Sequence, residues 1–155
     1  VIYALRSVLL AYDRKVESLR AQKFSKNGYL VFCDRYPGLS ISKMDSPRIP
    51  KDVNRGVIYQ YCYRLEQSIY NSIKPANIIL HLQVPLEIAV ERNNLREKFG
   101  KETEKELQQR FESNSNALFL GEIYKFIDAD SSMESVFTEA SHDVWVKGVC
   151  RKYEL

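Results

Sequence analysis

Three short runs in this chain hold residue types that could act together on an anionic ligand. The first is Asp34-Arg35-Tyr36, which closes the apolar run Tyr29-Leu30-Val31-Phe32-Cys33. An uncompensated charge in a core is costly, so an acid and a base at the end of such a run mark where a buried strand surfaces. The second is the pair Arg92 and Arg96, spaced four apart and therefore on one face of a helix. The third is Asp128-Ala129-Asp130-Ser131, directly after Ile123-Tyr124-Lys125-Phe126-Ile127. Ligands of open α/β sheets bind at the carboxyl ends of the strands. Arginines that neutralise phosphoryl oxygens, beside a carboxylate that positions a metal-bound water or takes a proton, are what phosphoryl transfer needs. Each run also has a plainer reading. Asp34 and Arg35 could be a surface ion pair at a strand end, and Arg92 and Arg96 a solvated face paired with Glu91 and Glu97. Asp128 and Asp130 could be a helix cap with a solvated neighbour.

The elements that must position these runs follow from periodicity. Val1, Leu5, Val8, Leu9, Tyr12, Val16 and Leu19 recur at helical spacing, with Asp13, Arg14, Lys15 and Glu17 opposite. Asn27-Gly28 ends that helix and turns the chain into a predicted strand over 29–34. Residues 37–50 hold three prolines, one glycine and three serines, and form a long loop. A second helix is expected from Lys51-Asp52 to Pro75, with Val57, Tyr61, Leu65, Ile69 and Ile73 on its inner side. Asn77 to Val84 is near-continuously apolar, as a strand buried on both faces of a parallel sheet should be. Pro85 suits the first turn of the next helix, with Leu86, Ala89 and Val90 inward. After Gly100 comes a further helix, with Leu107, Phe111, Asn114 and Leu118 in register and Gly121 at its end. A third strand covers Ile123 to Ile127, and Asp130 or Ser131 is expected to cap a last helix carrying Met133, Val136, Phe137, Ala140 and Val144. Strands alternating with helices predict an α/β fold with a parallel sheet, in one domain spanning 1–155.

Composition narrows the classes. The 155 residues are 45% hydrophobic and 28% charged, which is globular, and a net charge of +3 is too mild to imply nucleic acid as partner. Cys33, Cys62 and Cys150 are widely spaced and odd in number, so neither a zinc motif nor a disulfide framework is legible and a reducing compartment is expected. No apolar run is long enough for a membrane span, and the opening residues lack the pattern of a signal peptide; the cytoplasm is the expected location.

The order of Asp34-Arg35-Tyr36, a helix, Pro75-Ala76-Asn77-Ile78-Ile79-Leu80-His81-Leu82, Pro85 to Arg92, and then Arg96 resembles the thymidylate kinase branch of the P-loop nucleoside monophosphate kinases. So does Ile127-Asp128-Ala129 followed by a polar cap and a helix. The resemblance spans roughly residues 28–140 and implies a three-layer parallel sheet flanked by helices, with ATP and magnesium as cofactors and a nucleoside monophosphate as acceptor. It implies that Asp34 lies near the magnesium and the transferring group, that Arg35 holds the acceptor phosphate, and that Tyr36 stands beside it. Arg92 and Arg96 would sit at the base of a lid over the donor. Asp128, Ala129 and Asp130 would lie along the donor's adenine, mainly through their backbone. A homodimer formed through helices is the partner the resemblance suggests, with no membrane and no nucleic acid.

The chain departs from that pattern twice. It contains no G-x-x-x-x-G-K-[ST] loop, the element whose N–H groups and lysine cradle donor phosphates. The chain opens with Val1 already in a helical pattern, so a strand and a phosphate loop are expected ahead of it. The loop after Tyr36 also lacks the serine and the aromatic–glutamine stretch that receive thymine, which leaves the acceptor's base open. Arg48 and Lys43 in that loop could reach an acceptor phosphate, or the loop could be a surface excursion. Arg64 and Glu66, among the tyrosines 59, 61, 63 and 70, are further acceptor candidates, although aromatics at helical spacing more often belong to a core. His81 reads as a hydrogen-bonded core histidine. Two alternatives to the monophosphate kinase stay open: a non-catalytic nucleotide-binding or interaction module, and a kinase of a nucleoside or another small metabolite.

Overall fold

Ala76–Gln83 (β1) and Gly121–Asp128 (β2) pair in parallel, with Ala76 opposite Gly121 and Gln83 opposite Asp128. The computed structural model describes residues 1–38, 45–95, 102–114, 119 and 121–150. Among these are five α-helices: α1 (Ile2–Lys26), α2 (Val57–Asn71), α3 (Leu86–Leu95), α4 (Glu104–Asn114) and α5 (Met133–Asp143), the last continuing as a π-helical segment, Val144–Cys150. The fold is mixed α/β. Its contacts divide into two compact units, one of Val1–Pro75 with Ala117–Leu120 and one of Ala76–Asn116 with Gly121–Leu155. Arg96, Gly100, Lys43, Leu118 and the tail from Arg151 lie outside the described residues.

The first unit is an α1–α2 pair with the segment 45–50 laid against it. The seam of α1 is made of Ala4, Ser7, Ala11 and Ser18, small residues that let two helices approach closely. This corrects the sequence pattern. The large apolar residues Leu5, Leu9, Tyr12 and Leu19 face away and are exposed, Leu9 by 70%. The inner face of α2 is likewise rotated from the expected one: Tyr59, Cys62, Glu66 and Tyr70 are buried, whereas Val57 and Tyr61 are exposed. Two of the polar groups on that face are bonded, Tyr59 to the Pro50 carbonyl and Glu66 to two backbone N–H groups, which makes their burial tolerable. The helix also starts later than Lys51, because Asp52 accepts from the N–H of Asn54 and from Arg55 Nε and closes a turn instead.

The predicted strand over 29–34 does not form; among the described residues nothing pairs with it. Gly28 takes a left-handed φ of 89° just after α1, and the N–H groups of Gly28 and Tyr29 donate to the carbonyls of Ser25 and Phe24. That is a Schellman ending, completed by an edge-on contact of Tyr29 with Phe24 at 5.8 Å. The start of the apolar run is thus spent on closing the helix. Tyr29, Leu30 and Phe32 are exposed.

The second unit is built on the parallel ladder. A parallel pair requires a crossover, here supplied by α3 and α4. Thr103 and Glu106 start α4 with a reciprocal capping box: Thr103 N–H donates to the Glu106 carboxylate at 2.8 Å and Glu106 N–H to Thr103 Oγ1 at 3.3 Å. The Thr103 N–H first, and then the Thr103 hydroxyl donating at 2.9 Å, hold the Glu106 carboxyl below its usual range. Gly121 does not end a helix, as its position suggested, but opens β2 against Ile79. A turn in which Asp130 N–H donates to Asp128 Oδ1 shifts the cap of α5 to Ser132, whose hydroxyl accepts from Ser135 N–H. Asp143, buried at the end of α5, is held by Lys147 at 2.5 Å and Lys125 at 3.8 Å, and the bond from Lys147 pulls its carboxyl below the usual range.

A side chain at position 121 would run into Ile79 from the neighbouring strand. Gly121→Ala should therefore cost about 1–3 kcal/mol, the usual penalty for overpacking, measured as a shift in the urea midpoint at unchanged slope.

Candidate functional site

In the first unit the Asp34-Arg35 pair stands in solvent. Asp34 is 98% exposed at its side chain and Arg35 Nε lies 3.8 Å from its carboxylate, a contact too long and too wet to hold either group. Tyr36 behaves differently. Its ring packs against Ala11, Tyr70 and Ile73. Its hydroxyl donates to the Lys74 carbonyl at 2.6 Å and lies 3.1 Å from the Ser18 hydroxyl. The phenol thus pins the end of the run to both helices and leaves the two charged neighbours outside.

Arg48 sits on the most firmly built part of this unit. Glu66 on α2 is fully buried, and its two carboxylate oxygens accept from the N–H groups of Arg48 at 3.0 Å and Ile49 at 2.9 Å. Beside it the Tyr70 phenol is pushed above its usual range, by burial first and then by the Glu66 charge. Arg14 on α1 pairs with Asp45 at 2.9 Å, and Asp45 takes a left-handed φ of 50°, uncommon for a residue with a side chain. Arg64 lies elsewhere on α2, exposed, in a shallow depression with Tyr63, Gln67, Ser68, Asn71 and Ser72. The structure therefore gathers Arg48, Glu66, Tyr70, Arg14 and Asp45, and leaves Arg64 apart from them. Arg14 and Asp45 were not legible as site residues, since each looks in sequence like any solvated charge.

In the second unit the carboxyl ends of both strands reach the same edge. Ala129 N–H donates to the Gln83 carbonyl at 2.7 Å, so the ladder continues one residue past β2. The Asp128 side chain is used in the turn with Asp130, and its carbonyl accepts from Ser131 Oγ. Asp128 and Asp130 thus shape a turn, and the exposed groups at this edge are the polar stretch leading to α5. Arg92, near the end of α3, is exposed and has no ion-pair partner among the described residues. Arg96, its expected companion, lies outside them.

His81 is half-buried on the ladder, with Nδ1 2.6 Å from the Tyr124 hydroxyl and its ring 5.4 Å from that of Phe126. Burial lowers its basicity and raises the Tyr124 phenol. The histidine is hydrogen-bonded, as the sequence suggested, but half-buried on the ladder rather than in the core. Among the described residues no group of three His, Cys, Asp or Glu side chains could hold a metal ion, and no helix is long and apolar enough to cross a membrane. Comparison of the chain with protein-family models, curated proteins and solved structures finds no match in any of the three.

Two outcomes follow. Tyr36→Phe keeps the ring but loses the hydroxyl's bonds, and should lower stability by about 1 kcal/mol in urea unfolding. Because the folded pKa of His81 lies below 6.5, the unfolded chain takes the proton more readily. The histidine's contribution should be complete above pH 6.5 and decline as pH falls through the lowered value, and His81→Phe should remove that part of the slope in unfolding curves taken across pH.

Proposed function

We propose that the chain belongs to an ATP-dependent, magnesium-requiring phosphotransferase that acts on a nucleoside monophosphate, on a P-loop kinase-like three-layer sheet. The observation that supports it best is the parallel pair whose carboxyl ends, Gln83 and Asp128, stand in register at one edge. It is joined to helix α3, which carries the exposed Arg92. Such an edge is where open α/β sheets take their ligands. The resemblance supplies an acid and an arginine as well, Asp34 and Arg35, which stand exposed next to the bonded Tyr36.

On this reading Arg35 and Arg48 bind the acceptor phosphate, and Arg92 and Arg96 neutralise charge on the phosphoryl group in transfer. Asp128, Ala129 and Asp130 lie along the donor base. Asp34, exposed and only loosely paired, fits a magnesium ion that keeps several waters and takes one or two carboxylates beside substrate phosphates. When bound, that ion would screen the donor phosphates. The reading requires a donor-phosphate loop, and the 155 residues hold no G-x-x-x-x-G-K-[ST] motif. One observation favours a second reading: the solvated, loosely paired Asp34 and Arg35 equally suit a nucleotide-binding or interaction module without catalysis.

A coupled ADP-release assay on the full natural polypeptide, with magnesium-ATP and a panel of monophosphates, nucleosides and small metabolites, separates these readings. Turnover on a deoxynucleoside monophosphate is expected. Arg96→Ala should lower kcat about 10²-fold or more with little change in the acceptor KM, the usual cost of removing one charge-stabilising donor. Arg35→Ala should chiefly raise that KM. No ADP release with any acceptor would leave the binding module, and normal turnover by Arg96→Ala would remove the lid role.

A further inference from the structure

We propose that Glu66 is a positioning residue for acceptor binding, acting through Arg48; the inference rests on the monophosphate kinase reading and assigns its acceptor-side architecture. A buried carboxylate is costly unless its oxygens are bonded, and here both are bonded to consecutive N–H groups of one short segment. That segment is fixed on every side. Pro47 before Arg48 is fully buried and has no N–H of its own, and Ile49 after it is fully buried. The Tyr3 hydroxyl donates to the Arg48 carbonyl at 3.4 Å, and the Tyr59 hydroxyl donates to the Pro50 carbonyl at 3.2 Å. The backbone beneath Arg48 is therefore immobilised, while its side chain stands in solvent without an ion-pair partner among the described residues.

A second observation points the same way. Asp45, three residues upstream, is left-handed at φ 50°, pairs with Arg14 at 2.9 Å, and has a largely buried carboxylate. An ion pair that orders a segment beside Arg48 does the ordering before a ligand arrives. Arg48 on a fixed floor, with Arg14 nearby on a fixed strut, suits a tetrahedral phosphate better than a flat or apolar group. The ligand class is a nucleoside monophosphate, recognised here by its phosphate.

The test is a double-mutant cycle read by calorimetry on the full natural polypeptide, with the four common deoxynucleoside monophosphates and the matching nucleosides as probes. Arg48→Ala and Glu66→Gln should each weaken the tightest monophosphate about tenfold, the effect of one lost charge-assisted bond, and leave its nucleoside unchanged. The double variant should bind no worse than Arg48→Ala alone, because Glu66 acts through the same guanidinium. A merely structural Glu66 would give additive losses and would weaken the nucleoside as well, which overturns the inference. If Glu66→Gln does not fold, Pro47→Ala loosens the same segment without touching the carboxylate; it should weaken the monophosphate severalfold, and an unchanged affinity overturns the inference. Loss in Arg48→Ala with wild-type affinity in Glu66→Gln overturns the positioning role and leaves the kinase reading standing. A wild-type protein that binds none of the monophosphates overturns both.

Discussion

Parallel strands cannot be joined by a tight turn, and that constraint organises the second unit. The chain must travel through α3 and α4 before β2 can lie beside β1. Both strands then run out at the same edge, and each is followed by a helix. Gly121 permits the close approach to Ile79 at the start of the ladder, and Ala129 N–H extends it past the end. Ser132 starts α5, and at the far end of that helix Asp143 ties it to Lys125 of β2. A polar turn at the carboxyl edge is thus a consequence of strand direction.

The first unit solves a different problem. Two helices approach through alanine and serine, which offer little apolar area, so polar bonds have to share the work. Tyr36, Tyr59 and Glu66 each reach from one segment to the backbone of another. A satisfied carboxylate in such a place adds less to stability than an apolar residue of its size could, because desolvation offsets most of what its bonds return. It does select one conformation for the segment it holds. That trade favours a site over a core, and it is the physical reason for linking Glu66 to Arg48 rather than to packing.

What sequence could show depended on how local the cause was. The Asn27-Gly28 stop, the two strands β1 and β2 and the start of α3 just after Pro85 arise from neighbouring residues and were legible. No residue of β1 is fully buried, however, against the expectation of a strand covered on both faces. The run 29–34 looked like a strand because it is apolar and short, but a strand also needs a partner, and the run's first residue is consumed by the end of α1. Helix faces misled for a related reason. Periodicity ranks faces by side-chain size, whereas α1 packs through its small residues and α2 through Tyr59, Cys62, Glu66 and Tyr70. Of the candidate site, Asp34, Arg35 and Arg92 stand exposed, and Asp34 and Arg35 follow no strand. The Arg14–Asp45 pair and the two bonds of Glu66 join residues distant in sequence, so no spacing announces them.

The claim that the carboxyl edge of β1 and β2 receives the phosphoryl donor can be examined without turnover. In an assigned amide spectrum of the full natural polypeptide, titrated with magnesium and a non-hydrolysable ATP analogue, the account predicts saturable shifts at Ala129, Asp130 and Ser131, and smaller ones at the end of α3 near Arg92. The amides on the exposed face of α1 should stay where they are. Saturable shifts confined to other residues, or none at any concentration of the analogue, would contradict it.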